Sequence, residues 1–194
     1  MLDGDVTYLP AAFEAPAADR LFAALRTEIA WQDEEIVLFG VRRRVPRQVA
    51  WYGDPGASYS YSGVVHEPLP WTATLREIKA RAEALAGRRF NSVLLNRYRD
   101  GADGMGWHAD DEPELGPEPV IASVSFGATR HFRMRHRRRK AEVADFDLAH
   151  GSLLLMRGPT QHHWLHAVPK TRRAVGERIN LTFRQVHVPS PTGG

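Results

Sequence analysis

Beyond Gly87 the chain is a succession of short apolar runs broken by Gly, Pro or Asp turns, and that spacing leaves few folds open. Segments 92–98, 120–126, 131–135, 141–148, 152–156 and 178–186 each read as a strand. Segments 35–40 and 48–52 precede them, so turns recur roughly every 8–15 residues. Helical spacing is confined to two places. Residues 16–31 repeat Leu21, Phe22, Leu25 and Ile29 on one face, and residues 72–86 repeat Leu75, Ile78, Ala82 and Leu85 between a capping Thr72 and a closing Gly87. Two early helices followed by many short strands predict a mainly β fold with flanking helices. The pattern suits a β-sandwich or a jelly-roll barrel with the helices packed outside. One domain spanning 1–194 is expected, with its core from about 13 to 187, a loosely fixed lead-in over 1–12 and a flexible tail PSPTGG.

The absence of cysteine removes disulfides, thiolate metal sites and cysteine nucleophiles. Any metal must therefore be held by imidazole and oxygen. No apolar run reaches membrane-spanning length, and MLDGDVTYLP lacks the form of a signal peptide, so a soluble cytoplasmic protein is expected, or a nuclear one in a eukaryote, and a monomer. The net charge is +3, and 14 of the 26 Lys and Arg residues fall in three runs, 42–47, 130–140 and 170–173. Between Asp100 and Ala128, by contrast, there are acids and no Lys or Arg. An acidic loop suits a cation, and basic runs around it suit a phosphate backbone.

The acidic loop contains His108 and Asp110, two positions apart. In extended chain such residues share a face, so an imidazole and a carboxylate converge. They make two-thirds of the facial triad that holds non-haem Fe(II). His162, His163 and His166 are the candidates for the third ligand. Arg178 and Arg184 share one face of the last strand with Asn180, while Ile179, Leu181 and Phe183 face the other way. Two guanidiniums pointing into a barrel need an anion, and a small dicarboxylate beside the metal would serve; Asn96 and Tyr98 could add hydrogen bonds to it. Tyr59 and Tyr61 also alternate onto one face.

The segments LLNRYRDGADGMGWHADDE, IASVSFGATRHFRMRHR, GSLLLMRGPTQHHWLHAVP and ERINLTFRQV, with YGDPGASYSYSG ahead of them, resemble the AlkB-type Fe(II)/2-oxoglutarate dioxygenases over residues 39–186. The likeness is to the nucleic-acid demethylase branch, including members that repair duplex DNA. It implies a double-stranded β-helix core, the jelly-roll or cupin-like barrel, and Fe(II) held by His108, Asp110 and His166, with 2-oxoglutarate and O2 as co-substrates. Arg184 and Asn96 would meet the metal-chelating end of 2-oxoglutarate, and Arg178, Tyr98 and Asn180 its distal carboxylate. Tyr61 would stack on a flipped base opposite His108, Tyr59 would contact phosphate or sugar, and Glu112 with Asp111 would accept from the exocyclic amine. Phe39 would be a wedge filling the gap in the duplex, with Lys170, Arg172 and Arg173 on the opposite strand. The implied activity is oxidative demethylation of N1-methyladenine and N3-methylcytosine in DNA, with formaldehyde released. The alternatives are an RNA or protein substrate, or a non-catalytic cupin-like barrel that binds nucleic acid.

Overall fold

The computed structural model describes residues 1–38, 41–57, 59–61 and 64–187, with only the backbone of 36–38, 41, 43, 59–61 and 64–66. The first half carries β1 (Asp5–Leu9), α1 (Ala15–Glu28), β2 (Gln32–Leu38), β3 (Val41–Gly53), β4 (Tyr59–Tyr61), β5 (Val64–His66) and α2 (Ala73–Ala86). Strands β6 (Ser92–Tyr98), β7 (Met105–His108), β8 (Ile121–Gly127), β9 (Arg130–His136), β10 (Val143–Leu148) and β11 (Ser152–Arg157) follow. The short helix α3 (Thr160–His163), β12 (Trp164–Val168) and β13 (Arg178–Arg184) complete the fold. The strands form a seven-stranded sheet in the order β1-β11-β8-β13-β6-β3-β2, a four-stranded sheet β10-β9-β12-β7 and the small pair β4-β5. Two antiparallel sheets with helices outside the larger one are the expected jelly roll.

The two-residue period sorts side chains between layers. Ala122, Val124 and Phe126 of β8, Ile179, Leu181 and Phe183 of β13, and Val93 and Leu95 of β6 all pack with α1 and α2 in one apolar cluster. Their alternates face the second sheet. There Ile121, Leu154, Met156 and Tyr98 join Phe132, Met134 and Trp164 in a second cluster. The remaining inward positions are polar: Ser123, Ser125, Asn96, Arg178, Asn180, Thr182 and Arg184 are all buried. Buried polar groups are costly unless partnered. A row of them across three adjacent strands marks where the barrel is built for something other than packing.

Local signals explain most boundaries. Thr72 Oγ1 accepts from the Leu75 N–H at 3.1 Å, and Gly87 ends α2 in a left-handed turn at φ 64°. α1 stops at Glu28 rather than 31, because Ile29 turns extended (φ −85°, ψ 134°) and buries its side chain. Gly127 holds φ 87°, and a Cβ there would meet the Glu177 carbonyl at 2.3 Å, so only glycine fits this β8–β9 turn.

One expectation is corrected. Residues 5–9 are not a loose lead-in: they pair antiparallel with β11 as the sheet's edge strand, Asp5 opposite Arg157 through Leu9 opposite Leu153. The basic run 42–47 lies within β3. Pro46 fits there because it precedes the β6 ladder and lies where the β2 register shifts, so no ladder donor is lost.

Candidate active site

The β12–β7 ladder sets His166 opposite His108, with ring centroids 4.2 Å apart. β7 ends at His108, and Asp110 lies past the ladder. Asp110 Oδ2 is 4.0 Å from His166 Nε2. The donor atoms of His108, Asp110 and His166 all lie within 4.8 Å of one another, a group that could hold a metal ion. Their protonation suits ligation. His108 Nδ1 is 2.9 Å from the Gly106 carbonyl, so that nitrogen carries a hydrogen and Nε2 is the one available to a metal. Burial, with His108 and Arg184 nearby, pushes His166 down to about 3 against the pull of Asp110, so its ring is neutral. Burial opposes the charge on Asp110, but Arg184 and the two imidazoles outweigh it and hold the carboxyl below its usual range.

The neighbouring histidines are engaged elsewhere. His162 Nε2 contacts the Pro117 carbonyl. His163 joins Asp3 and His136 in a second group of possible ligands. His136 Nδ1, however, accepts from the N–H groups of Arg138 and Arg139 at 3.2 and 3.0 Å. Its proton must then sit on Nε2, which faces Asp3 Oδ2 at 3.4 Å. A nitrogen that carries hydrogen offers a metal no lone pair, so this group is a histidine–aspartate contact.

Arg178 and Arg184 enter the same narrow cavity from β13, together with Asn96, Tyr98, His108, Asp110, His166 and Asn180. Arg184 pairs with Asp110. Arg178 has no carboxylate: Nη2 donates to Ser125 Oγ at 2.9 Å, while Nε and Nη1 are buried with no hydrogen-bond partner among the described residues. Burial pulls its pKa below the ordinary arginine value, with Tyr98 opposing. A buried guanidinium with two unmet donors could receive an anion. Asn180 differs from its expected role. Its amide hydrogens go to Ser123 Oγ at 2.8 Å and to the Val124 carbonyl at 2.9 Å, so it has none left for a ligand.

Arg184 also lines a larger cavity of about 340 Å³. Glu112 lines it with Arg47, Trp51 and Leu94, and Asp33, Glu34 and Glu67 make its wall acidic. Asp111 parts company with Glu112: it is exposed and held by Arg137 Nη2 at 2.5 Å. Tyr59 and Tyr61 lie in β4, opposite His66 and Val64. Leu38 of β2 pairs with Val41 of β3, and Phe39 lies outside the described residues. Lys170, Arg172 and Arg173 are exposed after β12. The 130–140 run divides. Arg130 is buried and donates to the carbonyls of Asp100, Asp103 and Pro169, a structural clasp rather than a phosphate contact. The side chains of Arg138, Arg139 and Lys140 are exposed and make no ion pair among the described residues.

Three residues that the sequence did not single out shape the site. Arg47 Nε donates to Asn96 Oδ1 at 2.6 Å, Gln161 Oε1 accepts from the Asp110 N–H at 3.0 Å, and Arg137 holds Asp111. Arg47 and Arg137 left only the trace of falling in basic runs, 42–47 and 130–140.

Two imidazoles and a carboxylate gathered at one point leave other coordination positions open, which is how non-haem Fe(II) oxygenases are built. The model of the 2OG-Fe(II) oxygenase superfamily matches residues 5–184, and the chain belongs to that family. It is a 2-oxoglutarate-dependent dioxygenase that takes Fe(II), 2-oxoglutarate and O2. It is 44% identical over 184 residues to the DNA oxidative demethylase ALKBH2 of Mus musculus, covering 90% of this chain and 77% of that one. It is 41% identical over 197 residues to the alpha-ketoglutarate-dependent dioxygenase alkB homolog 3 of Homo sapiens, covering 97% and 68%. The solved structure of OsALKBH1 superposes with a TM-score of 0.62 at 17% identity, covering 93% of this chain and 97% of that one, a likeness of fold. No helix among the described residues is long and apolar enough to cross a membrane.

Proposed function

We propose that this chain removes N-methyl groups oxidatively from N1-methyladenine and N3-methylcytosine in DNA. The observation that carries the reading is the position of Arg184, which lines both the cavity holding the ligand group and the acid-lined cavity with Glu112. One cavity suits a metal and a keto acid, and the adjoining one suits a base. Relatives named as DNA oxidative demethylases support the substrate class. Alkylation at these ring nitrogens leaves the base cationic, which the acidic wall of the larger cavity favours.

His108, Asp110 and His166 hold Fe(II). The metal, with 2-oxoglutarate and O2, supplies oxidation of the methyl carbon, and the hydroxymethyl product releases formaldehyde. The chain's own residues set the geometry. Arg178 receives the distal carboxylate on Nε and Nη1, beside Tyr98. Arg184 and Asn96 meet the chelating end, with Arg47 turning the Asn96 oxygen away so that its N–H groups serve the co-substrate. Glu112 accepts from the exocyclic amine, Tyr61 stacks on the flipped base, and Tyr59 meets the backbone. Lys170, Arg172 and Arg173 grip phosphates, joined by Arg138, Arg139 and Lys140. The two unmet Arg178 donors disfavour a non-catalytic barrel, which needs no anion there. The protein acts as a monomeric, single-domain enzyme where DNA is held, in the cytoplasm or a eukaryotic nucleus.

The test is succinate and formaldehyde release on methylated single-stranded DNA, duplex DNA and RNA side by side. Turnover on both DNA forms above RNA is expected. Turnover on RNA alone would move the substrate class, and succinate release that no nucleic acid stimulates would remove it.

A further inference from the structure

His108 and His166 are fixed by the β7–β12 ladder, but Asp110 has no ladder to hold it. Its backbone N–H is buried and must find a partner elsewhere. It donates to Gln161 Oε1 at 3.0 Å. Gln161 is 1% exposed in α3, five residues before His166 in the same segment. Its other end is fixed too, since Nε2 donates to Met156 Sδ at 3.4 Å. That contact orients the amide, presenting the oxygen to Asp110. From outside, Arg137 Nη2 donates to Asp111 Oδ2 at 2.5 Å and to the Gln161 carbonyl at 3.3 Å. One arginine thus ties the residue after Asp110 to the residue that holds Asp110.

We propose that Gln161 is the positioning residue for the Asp110 ligand, with Arg137 as its outer brace, so that the segment 161–166 supplies one ligand and aims another. The inference rests on the assignment of His108, Asp110 and His166 to Fe(II). A neutral amide does this without competing for the metal. A carboxylate at 161 would place a second charge near Asp110, and an apolar side chain would leave the Asp110 N–H unmet.

The experiment is titration of the metal-free protein with Co(II), followed by its visible ligand-field bands, and with Fe(II) by calorimetry. Wild type, Asp110→Ala, Gln161→Met and Arg137→Ala are compared, with the melting temperature of each metal-free protein. Gln161→Met fills nearly the same volume and is expected to weaken metal binding about 10–100-fold, as loss of an outer partner of a ligand does, and to shift the Co(II) bands. Arg137→Ala, on an exposed side chain, is expected to weaken it several-fold with the melting temperature unchanged. Wild-type affinity and bands in both variants, with Asp110→Ala losing metal, overturn the proposal and leave the ligand assignment standing. Asp110→Ala binding as wild type overturns the assignment itself. Should Gln161→Met fail to fold, Arg137→Ala decides: wild-type affinity there counts against the brace, weakened affinity for it.

Discussion

Arg178 and Tyr98 are direct partners across the β13–β6 ladder, and the guanidinium sits 5.2 Å from the centre of the phenol ring. The ring shields one face of the charge, Ser125 takes one hydrogen, and two donors remain unmet. Arg178→Ala would remove the partner of a buried carboxylate, a loss of roughly 2–5 kcal/mol. The KM for 2-oxoglutarate should rise about 30-fold or more, while Co(II) titration of the metal-free protein stays as in wild type. An unchanged KM places the distal carboxylate elsewhere.

Three histidines follow one another closely before Pro169, and only His166 meets His108 and Asp110. His166→Ala should weaken Fe(II) binding by more than about 100-fold, beyond the usual cost of losing an outer partner. His163→Ala should bind as wild type and lose a little stability from its ring stack with His136. Full affinity in the first with loss in the second would reverse the assignment.

The alternation of β13 made its arginines and its apolar face legible from sequence, because a strand's period of two needs no tertiary information. The cap at Thr72 and the closing turn at Gly87 were legible for a similar reason, being local. Asp110 was legible as a partner of His108 but not as a residue beyond its strand: an i, i+2 pair looks the same whether the strand continues or stops at His108. Gln161 carried no signal and Arg137 none beyond its place in a basic run, since each contact is made by a fold that joins it to a loop 51 or 26 residues away. Asp5–Leu9 was missed because an edge strand beside β11 is short and half-polar, and its partner lies near the other end of the chain.

Asp103 illustrates an acid of the 100–128 segment that serves structure. Its carboxylate takes hydrogen bonds from the Arg99 N–H at 2.9 Å and from Nε and Nη2 at 2.8 Å. Burial opposes its charge, yet the contacts with Arg99 lower its pKa below the ordinary value of 3.8. The folded state therefore holds the ionised form more firmly than the unfolded chain does. That stability is complete above pH 3.8 and is lost as pH falls through the lower folded value. Asp103→Asn should cost roughly 1–2 kcal/mol at pH 7. Urea melts should show the gap from wild type closing below pH 3.8; a gap constant across pH would exclude charge as its cause.

The family resemblance makes Phe39 a wedge for duplexes. Phe39→Ala should then slow repair of duplex DNA by one to two orders of magnitude, about 1.4–2.8 kcal/mol. A single strand needs no plug and should be repaired nearly as before. Equal losses on both substrates, with a lower melting temperature, would return Phe39 to an ordinary packing role.

Everything turns on whether oxidation at the His108–Asp110–His166 group removes the methyl. The direct measurement is a count of N1-methyladenine lost, formaldehyde formed and succinate formed from one single-stranded DNA oligonucleotide. It is made with Fe(II), 2-oxoglutarate and air, using wild type and Asp110→Ala. Equal amounts of all three products in wild type, and none in the variant, are expected. Succinate without formaldehyde, or methyl loss that survives Asp110→Ala, would contradict the account.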